Sequence, residues 1–217
     1  NLQHFIYLTI GGFFVTGSAN SFNQILEKEK DKLMCRTAMR PLPQENLTIL
    51  QAFIFAFILG VLGLLLLNKI NPQGSFYGLM SKSSFFGLVS IFLYVLSYTP
   101  LKRVSTISIF VGAIPGAIPF LLGYVAATDD FGLAAGILFA IQFFWQFPHF
   151  IAIAWVLDSE YKKAGFKMLF GGEKNKYPAM ISIFTSFFMT GVSILPFFID
   201  ISGLALSSYS FIFILNL

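Results

Sequence analysis

Asn23, Glu27 and Asp31 stand four residues apart in a chain that is 56% hydrophobic and only 11% charged. On an α-helix each step of four advances about 400°, so the three side chains drift only about 80° around the axis. One amide and two carboxylates then share a face at the end of an apolar run, a donor set that suits a hard divalent cation. Mg²⁺ takes one or two carboxylates, keeps waters and uses substrate phosphates for its remaining ligands. Arg36 and Arg40 follow, again four apart, and guanidinium forks suit phosphate oxygens. The stretch from Asn20 to Pro43 therefore reads as a Mg²⁺–diphosphate site. It reads equally as a solvated loop of paired charges, the usual state of a charge run.

The elements that must position these residues are apolar helices. A soluble domain carries about 25% charged residues; this chain has less than half that, a mean hydropathy of +0.77 and 28 Phe. It reads as an integral membrane protein. Spanning a bilayer takes about 20 apolar residues, and seven stretches qualify as candidate helices: 2–22, 48–68, 84–98, 104–127, 132–157, 178–199 and 203–217. The expected fold is all-α, a polytopic transmembrane helix bundle, since helices satisfy their own backbone in lipid. The single cysteine, Cys35, excludes an intrachain disulfide and a paired-cysteine metal or redox motif. The chain begins at Asn1 and enters an apolar run almost at once, without the basic start of a signal peptide; a preceding N-terminal segment is expected.

Charge distribution orients the bundle. Twelve of the 14 Lys and Arg fall on alternate loops, 23–47, 99–104 and 158–177, leaving Lys69 and Lys82 for the other side. The positive-inside rule assigns the twelve to the cytoplasm or its topological equivalent. The basic pI of 9.2 thus reflects topology and gives no reason to expect nucleic-acid binding. Seven of the ten acids lie on the same loops, which that rule does not require. A charged site is therefore expected at this end of the bundle.

Three further features lie at or within the membrane. Gly112 to Pro119 repeats Gly-Ala-Ile-Pro twice; small residues four apart allow close helix approach, and the prolines remove backbone donors and bend the helix. That is either a packing seam or the bent wall of a cavity. Gln146 and His149 are expected on one helical face, and an intramembrane ionisable group suggests function, although a lone His is as often hydrogen-bonded to a neighbour. Tyr98 and Lys102 flank Pro100 at a helix exit on the side of the acidic motif, with Arg103 next to them.

Taken together these motifs resemble the heme O synthase (protoheme IX farnesyltransferase) family, a branch of the UbiA-type intramembrane prenyltransferases. The resemblance rests on Asn23, Glu27, Asp31, Met34, Arg36, Thr37, Arg40, Pro41 and Leu42 in one ordered motif. It continues with Tyr98 to Arg103, with Gly112 to Gly123, and with Gln146 to Phe150. It ends with Glu160, Tyr161, Ala164, Gly165, Met168 and Leu169. The family is a nine-helix bundle, so residues 1–217 are expected to form one integral-membrane domain covering its second to eighth helices, without the first helix and the C-terminal end. Two departures stand out: Glu27 and Glu160 occupy positions where the family usually has Asp, and an extra acid, Asp158, precedes Glu160.

The resemblance implies transfer of the farnesyl group of farnesyl diphosphate to a vinyl group of heme b, with addition of water. It implies Mg²⁺ held by Asn23, Glu27, Asp31 and Glu160. Diphosphate would meet Arg36, Arg40, Lys102, Arg103, Lys163 and Tyr98, and heme would meet His149 and Gln146. Phe and Tyr faces would shield and stabilise an allylic cation. The implied location is the bacterial plasma membrane, or the mitochondrial inner membrane in a eukaryote, with contact to heme A synthase or oxidase assembly factors. The nearest alternative is a related enzyme with an aromatic, quinone-precursor acceptor, disfavoured by the Gln-Phe-Pro-His segment. A secondary transporter would carry its acids near the midplane, whereas these sit at helix exits.

Overall fold

In the computed structural model, which describes residues 1–74 and 78–198, helices account for the regular structure. The first helix, α1 (Leu2–Asp31), starts at Asn1, whose side chain accepts from the Gln3 N–H, and runs 30 residues. At 1.5 Å per residue that is about 45 Å, longer than the roughly 30 Å of bilayer hydrocarbon. The helix therefore continues nine residues beyond the expected apolar span. The segment from Gln24 to Asp31 is rich in Leu, Glu and Lys, all good helix formers, and carries the helix past its apolar part. The Thr37 hydroxyl donates to the Asp31 carbonyl at 2.9 Å, satisfying one acceptor at the helix end.

Helix α2 (Ile49–Asn68) opens with a capping box between Thr48 and Gln51. It packs against α1 through small residues: a Cβ at Gly63 would meet the Gly11 carbonyl at 2.9 Å, and the Ser18 hydroxyl donates to the Ala56 carbonyl at 2.8 Å. Such seams bring helices close where lipid supplies no hydrophobic drive. Helix α3 (Lys82–Leu101) is α-helical to Phe92, then winds as a π-helix over Leu93–Tyr98 and closes with a short α turn, Thr99–Leu101.

Helix α4 (Ser108–Thr128) is central. More than half of its apolar window is buried, against 17–28% for the other spans. It contains Pro115 and Pro119 and packs on α1, α3 and α5. Helix α5 (Leu133–Val156) lies between α4 and α7 (Lys176–Phe198), and the short α6 (Asp158–Lys163) follows α5. Five described helices are long and apolar enough to cross a membrane, namely α2, α3, α4, α5 and α7. The first helix, interrupted by His4, Thr9 and Asn20, is not among them. The expected helix over 203–217 lies outside the described residues.

The loops gather at two ends. At one, the Lys82 ammonium meets the Asp129 carbonyl and, at 3.4 Å, its carboxylate, while the Asn71 amide donates to the Ala126 carbonyl at 3.3 Å. At the other, the Lys167 N–H donates to the Lys102 carbonyl at 2.8 Å, joining the loop after α6 to the end of α3. Gly165 ends α6 with φ +74°, its N–H on the Lys162 carbonyl and the Phe166 N–H on the Tyr161 carbonyl. A left-handed residue here needs glycine, and the turn returns the chain so that Phe166 and Met168 are buried.

Candidate active site

A cavity of about 460 Å³ opens at this second end, where the loops after α1, α3 and α6 meet. Five polar residues of α1 line it: Asn20, Asn23, Gln24, Glu27 and Asp31. Their spacing keeps them on one helical face. The loop after α1 adds Arg36 and Arg40, α3 adds Tyr94 and Tyr98 with Lys102 just beyond, and the segment after α5 adds Tyr161, Phe166 and Met168.

Glu27 and Asp31 are almost fully buried, at 2% and 1% exposure. Asp31 therefore does not lie at an exposed helix end, as the polar sequence around it suggests; the loop folds back and covers it. Each carboxylate has a cation: Lys102 Nζ is 2.6 Å from Glu27 Oε2, and Arg40 Nη1 is 2.9 Å from Asp31 Oδ2. The other Glu27 oxygen, Oε1, is buried without a hydrogen-bond partner. Burial pushes the Glu27 carboxyl up from its ordinary value while Lys102 pulls it back; burial likewise pushes the Lys102 ammonium down while Glu27 holds it up. Lys102 also lies over the Phe166 and Tyr98 rings, 4.6 Å and 5.3 Å from their centroids. Asn23 is buried and donates to the Thr99 hydroxyl at 3.0 Å. The Arg36 guanidinium is exposed at the cavity.

The cavity thus brings Asn23, Glu27, Asp31, Arg36, Arg40, Tyr98 and Lys102 together. Glu160 does not line it; its carboxylate accepts from the Arg36 backbone N–H at 3.5 Å. It does not join Glu27 and Asp31 as a third carboxylate: among the described residues no three acidic, His or Cys side chains converge as a metal cluster. Arg103, one residue and about 100° of helix beyond Lys102, turns away and donates to the Leu26 carbonyl at 2.6 Å. Lys163 is exposed on α6 and does not line the cavity.

Gln146 and His149 also part company. Gln146 is buried against α4, where a Cβ at Gly116 would collide with its amide at 2.1 Å. His149 is exposed and stacks on Trp145, ring centroids 4.6 Å apart. Three residues leave them about 60° apart, enough to move from the packed face of α5 to an exposed one. The glycine–proline repeat is a close-packing seam: Gly112 admits the Tyr98 ring, 2.7 Å from where a Cβ would stand, and Gly116 admits Gln146. Tyr94 and Phe166 line the cavity without having been expected there, and Tyr161 and Met168, named above only as motif residues, line it as well. Only Tyr94 carried a usable signal, standing four residues before Tyr98.

The all-helical bundle is shared with solved UbiA homologs. A UbiA homolog from Archaeoglobus fulgidus bound to DMAPP and Mg²⁺ matches the whole of this chain and 74% of its own, with a TM-score of 0.75 at 16% identity. A UbiA homolog from Aeropyrum pernix gives 0.77 over 79% of its length, also at 16% identity. The chain belongs to the UbiA prenyltransferase family, whose model matches residues 1–217. Curated relatives named protoheme IX farnesyltransferase are 51% identical in Flavobacterium psychrophilum, over 89% of this chain, and 44% identical in Cytophaga hutchinsonii, over 92%. The chain spans 61% of the first relative's length and 67% of the second's.

Proposed function

We propose that the protein transfers the farnesyl group of farnesyl diphosphate to a vinyl group of protoheme IX, with addition of water. One observation carries the site: buried Glu27 and Asp31 stand beside Lys102, Arg36 and Arg40 at the end of an apolar bundle. Similarity to relatives named protoheme IX farnesyltransferase supports the acceptor.

The donor set fits Mg²⁺, because two carboxylates with an amide suit that ion and one buried Glu27 oxygen has no partner. Asn23, Glu27 and Asp31 would hold it, and Glu160, which accepts from the Arg36 N–H, would position the segment that carries Arg36. When bound, the ion neutralises charge on the diphosphate and so favours its departure. Arg36, Arg40 and Lys102 bind phosphate oxygens and gain most as negative charge develops there. The Tyr98 ring, seated on Gly112, forms the wall next to Lys102. The aromatic part of the cavity excludes water from the allylic cation until the vinyl group attacks. On the acceptor side, His149 is the sole titratable side chain of α5, and we assign it to heme, with Gln146 holding α5 against α4. The charged end faces the cytoplasm or its mitochondrial equivalent, and a lipophilic product retained in the bilayer suits transfer to heme A synthase or an oxidase assembly factor.

The test is incubation of the purified protein with Mg²⁺, farnesyl diphosphate and heme b, followed by mass spectrometry. The expected product is heme bearing a hydroxyethylfarnesyl side chain. Farnesylation of a quinone precursor but not of heme would redirect the acceptor assignment.

A further inference from the structure

The cavity is a ladder of paired groups. Along α1 from its charged end the rungs are Asp31–Arg40, Glu27–Lys102, Asn23–Thr99 and Asn20–Tyr94, the last at an exposed asparagine, with the Tyr94 hydroxyl 3.4 Å from Asn20 Oδ1. On α1, Asn20 lies about 10 Å below Glu27 and about 16 Å below Asp31. The ladder passes from ion pairs to amide and hydroxyl to an aromatic ring. A prenyl diphosphate laid along it would have phosphates on the charged rungs and hydrocarbon toward Tyr94. The allylic C1–O bond then lies where charge gives way to Tyr94.

Tyr94 is held there by its backbone. Within the π-helix its carbonyl accepts from both the Thr99 N–H and the Thr99 hydroxyl, the latter at 2.8 Å. Thr99 in turn accepts from Asn23, so the tyrosine is tied to the helix that carries the acids. Its ring lies 5.2 Å from that of Tyr98, tilted 35°. The neighbouring rings are otherwise engaged. Lys102 sits over Tyr98 and Phe166, and Tyr161 packs on Phe166. Among the described residues, no Lys or Arg sits over Tyr94.

We propose that Tyr94 is a further catalytic residue, its ring stabilising the allylic cation of the prenyl group. This rests on the prenyl-transfer reading above. In the step concerned the C1–O bond breaks heterolytically, the electron pair leaves with the diphosphate, and the positive charge is shared by C1 and C3 until the acceptor's π electrons close the new C–C bond. A cation over a desolvated ring gains enough to change a rate by on the order of tenfold.

The test compares Tyr94→Leu, Tyr94→Phe and a series with increasingly fluorinated phenylalanine at position 94. Two quantities are read: single-turnover release of diphosphate from farnesyl diphosphate in the presence of heme b, and the Kd for the unreactive farnesyl thiolodiphosphate with Mg²⁺. Tyr94→Leu is expected to slow release about tenfold with Kd within about twofold, Tyr94→Phe to retain most of the rate, and fluorination to lower it stepwise. A rate indifferent to fluorination, or a loss in Tyr94→Leu matched by an equal loss of analogue binding, overturns the assignment while leaving prenyl transfer intact. A wild-type protein that neither binds the analogue nor releases diphosphate overturns both.

Discussion

Lys102 Nζ lies 2.6 Å from Glu27 Oε2, and the two residues are 75 positions apart in the chain. Their pairing locks the end of α3 to the end of α1 and keeps the buried carboxylate compensated. Removing one partner of a buried pair costs about 3–5 kcal/mol, mostly because the other charge is stranded. Lys102→Met should therefore lower thermal stability in detergent by that amount. Glu27→Gln/Lys102→Met should recover most of the loss while staying inactive. A double variant as unstable as Lys102→Met would mean that the pair does not set the stability of this end.

The second acidic segment offers a ranking. Asp158 pairs with Lys162 at 3.0 Å on the surface of α6, a contact of the kind worth less than about 1 kcal/mol. Glu160 reaches across to the Arg36 N–H. Steady-state assays should find Asp158→Asn close to wild type and Glu160→Gln with most activity lost. The reverse order would mean that Asp158, not Glu160, is the acid of this segment that the reaction needs.

Gly112 and Gly123 occupy the same helix with opposite surroundings. A Cβ at Gly112 would stand 2.7 Å from the Tyr98 ring, whereas one at Gly123 meets nothing within 4 Å. Gly112→Ala should destabilise by about 1–3 kcal/mol, as overpacking does, and lower the turnover rate by displacing Tyr98. Gly123→Ala should gain up to about 1 kcal/mol from helix propensity. Melting curves of the two variants, measured in the same detergent, test the contrast.

His149→Ala should weaken heme binding without affecting binding of farnesyl diphosphate, because the imidazole lies outside the charged cavity. Heme absorbance titrations read the first quantity and calorimetry the second. Unchanged heme affinity would reduce His149 to a partner for Trp145.

The polar face of α1 was legible in the sequence. Spacing of four along a helix-forming segment fixes Asn23, Glu27 and Asp31 to one side, and the structure keeps them there. Their burial was not legible, because it comes from the loop that folds back with Thr37 and Arg40. The direction of Arg103 and the separation of His149 from Gln146 were not legible either: neighbours along a helix differ by about 100° per residue, and only packing tells which direction each side chain takes. Phe166 and Met168 depend on the reversal at Gly165, whose consequence is not local. Tyr94 sits in an apolar run, where only its spacing of four from Tyr98 marks it off from a lipid-facing ring.

The Lys82–Asp129 and Asn71–Ala126 contacts tie the far end of the described bundle. The charged cavity lies at the other end. In the proposed reaction, diphosphate returns through the mouth by which it entered, so its discharge is vectorial and answers to the inorganic diphosphate level of one compartment only. Raising that level on the mouth side of sealed vesicles should inhibit turnover, and raising it on the opposite side should not.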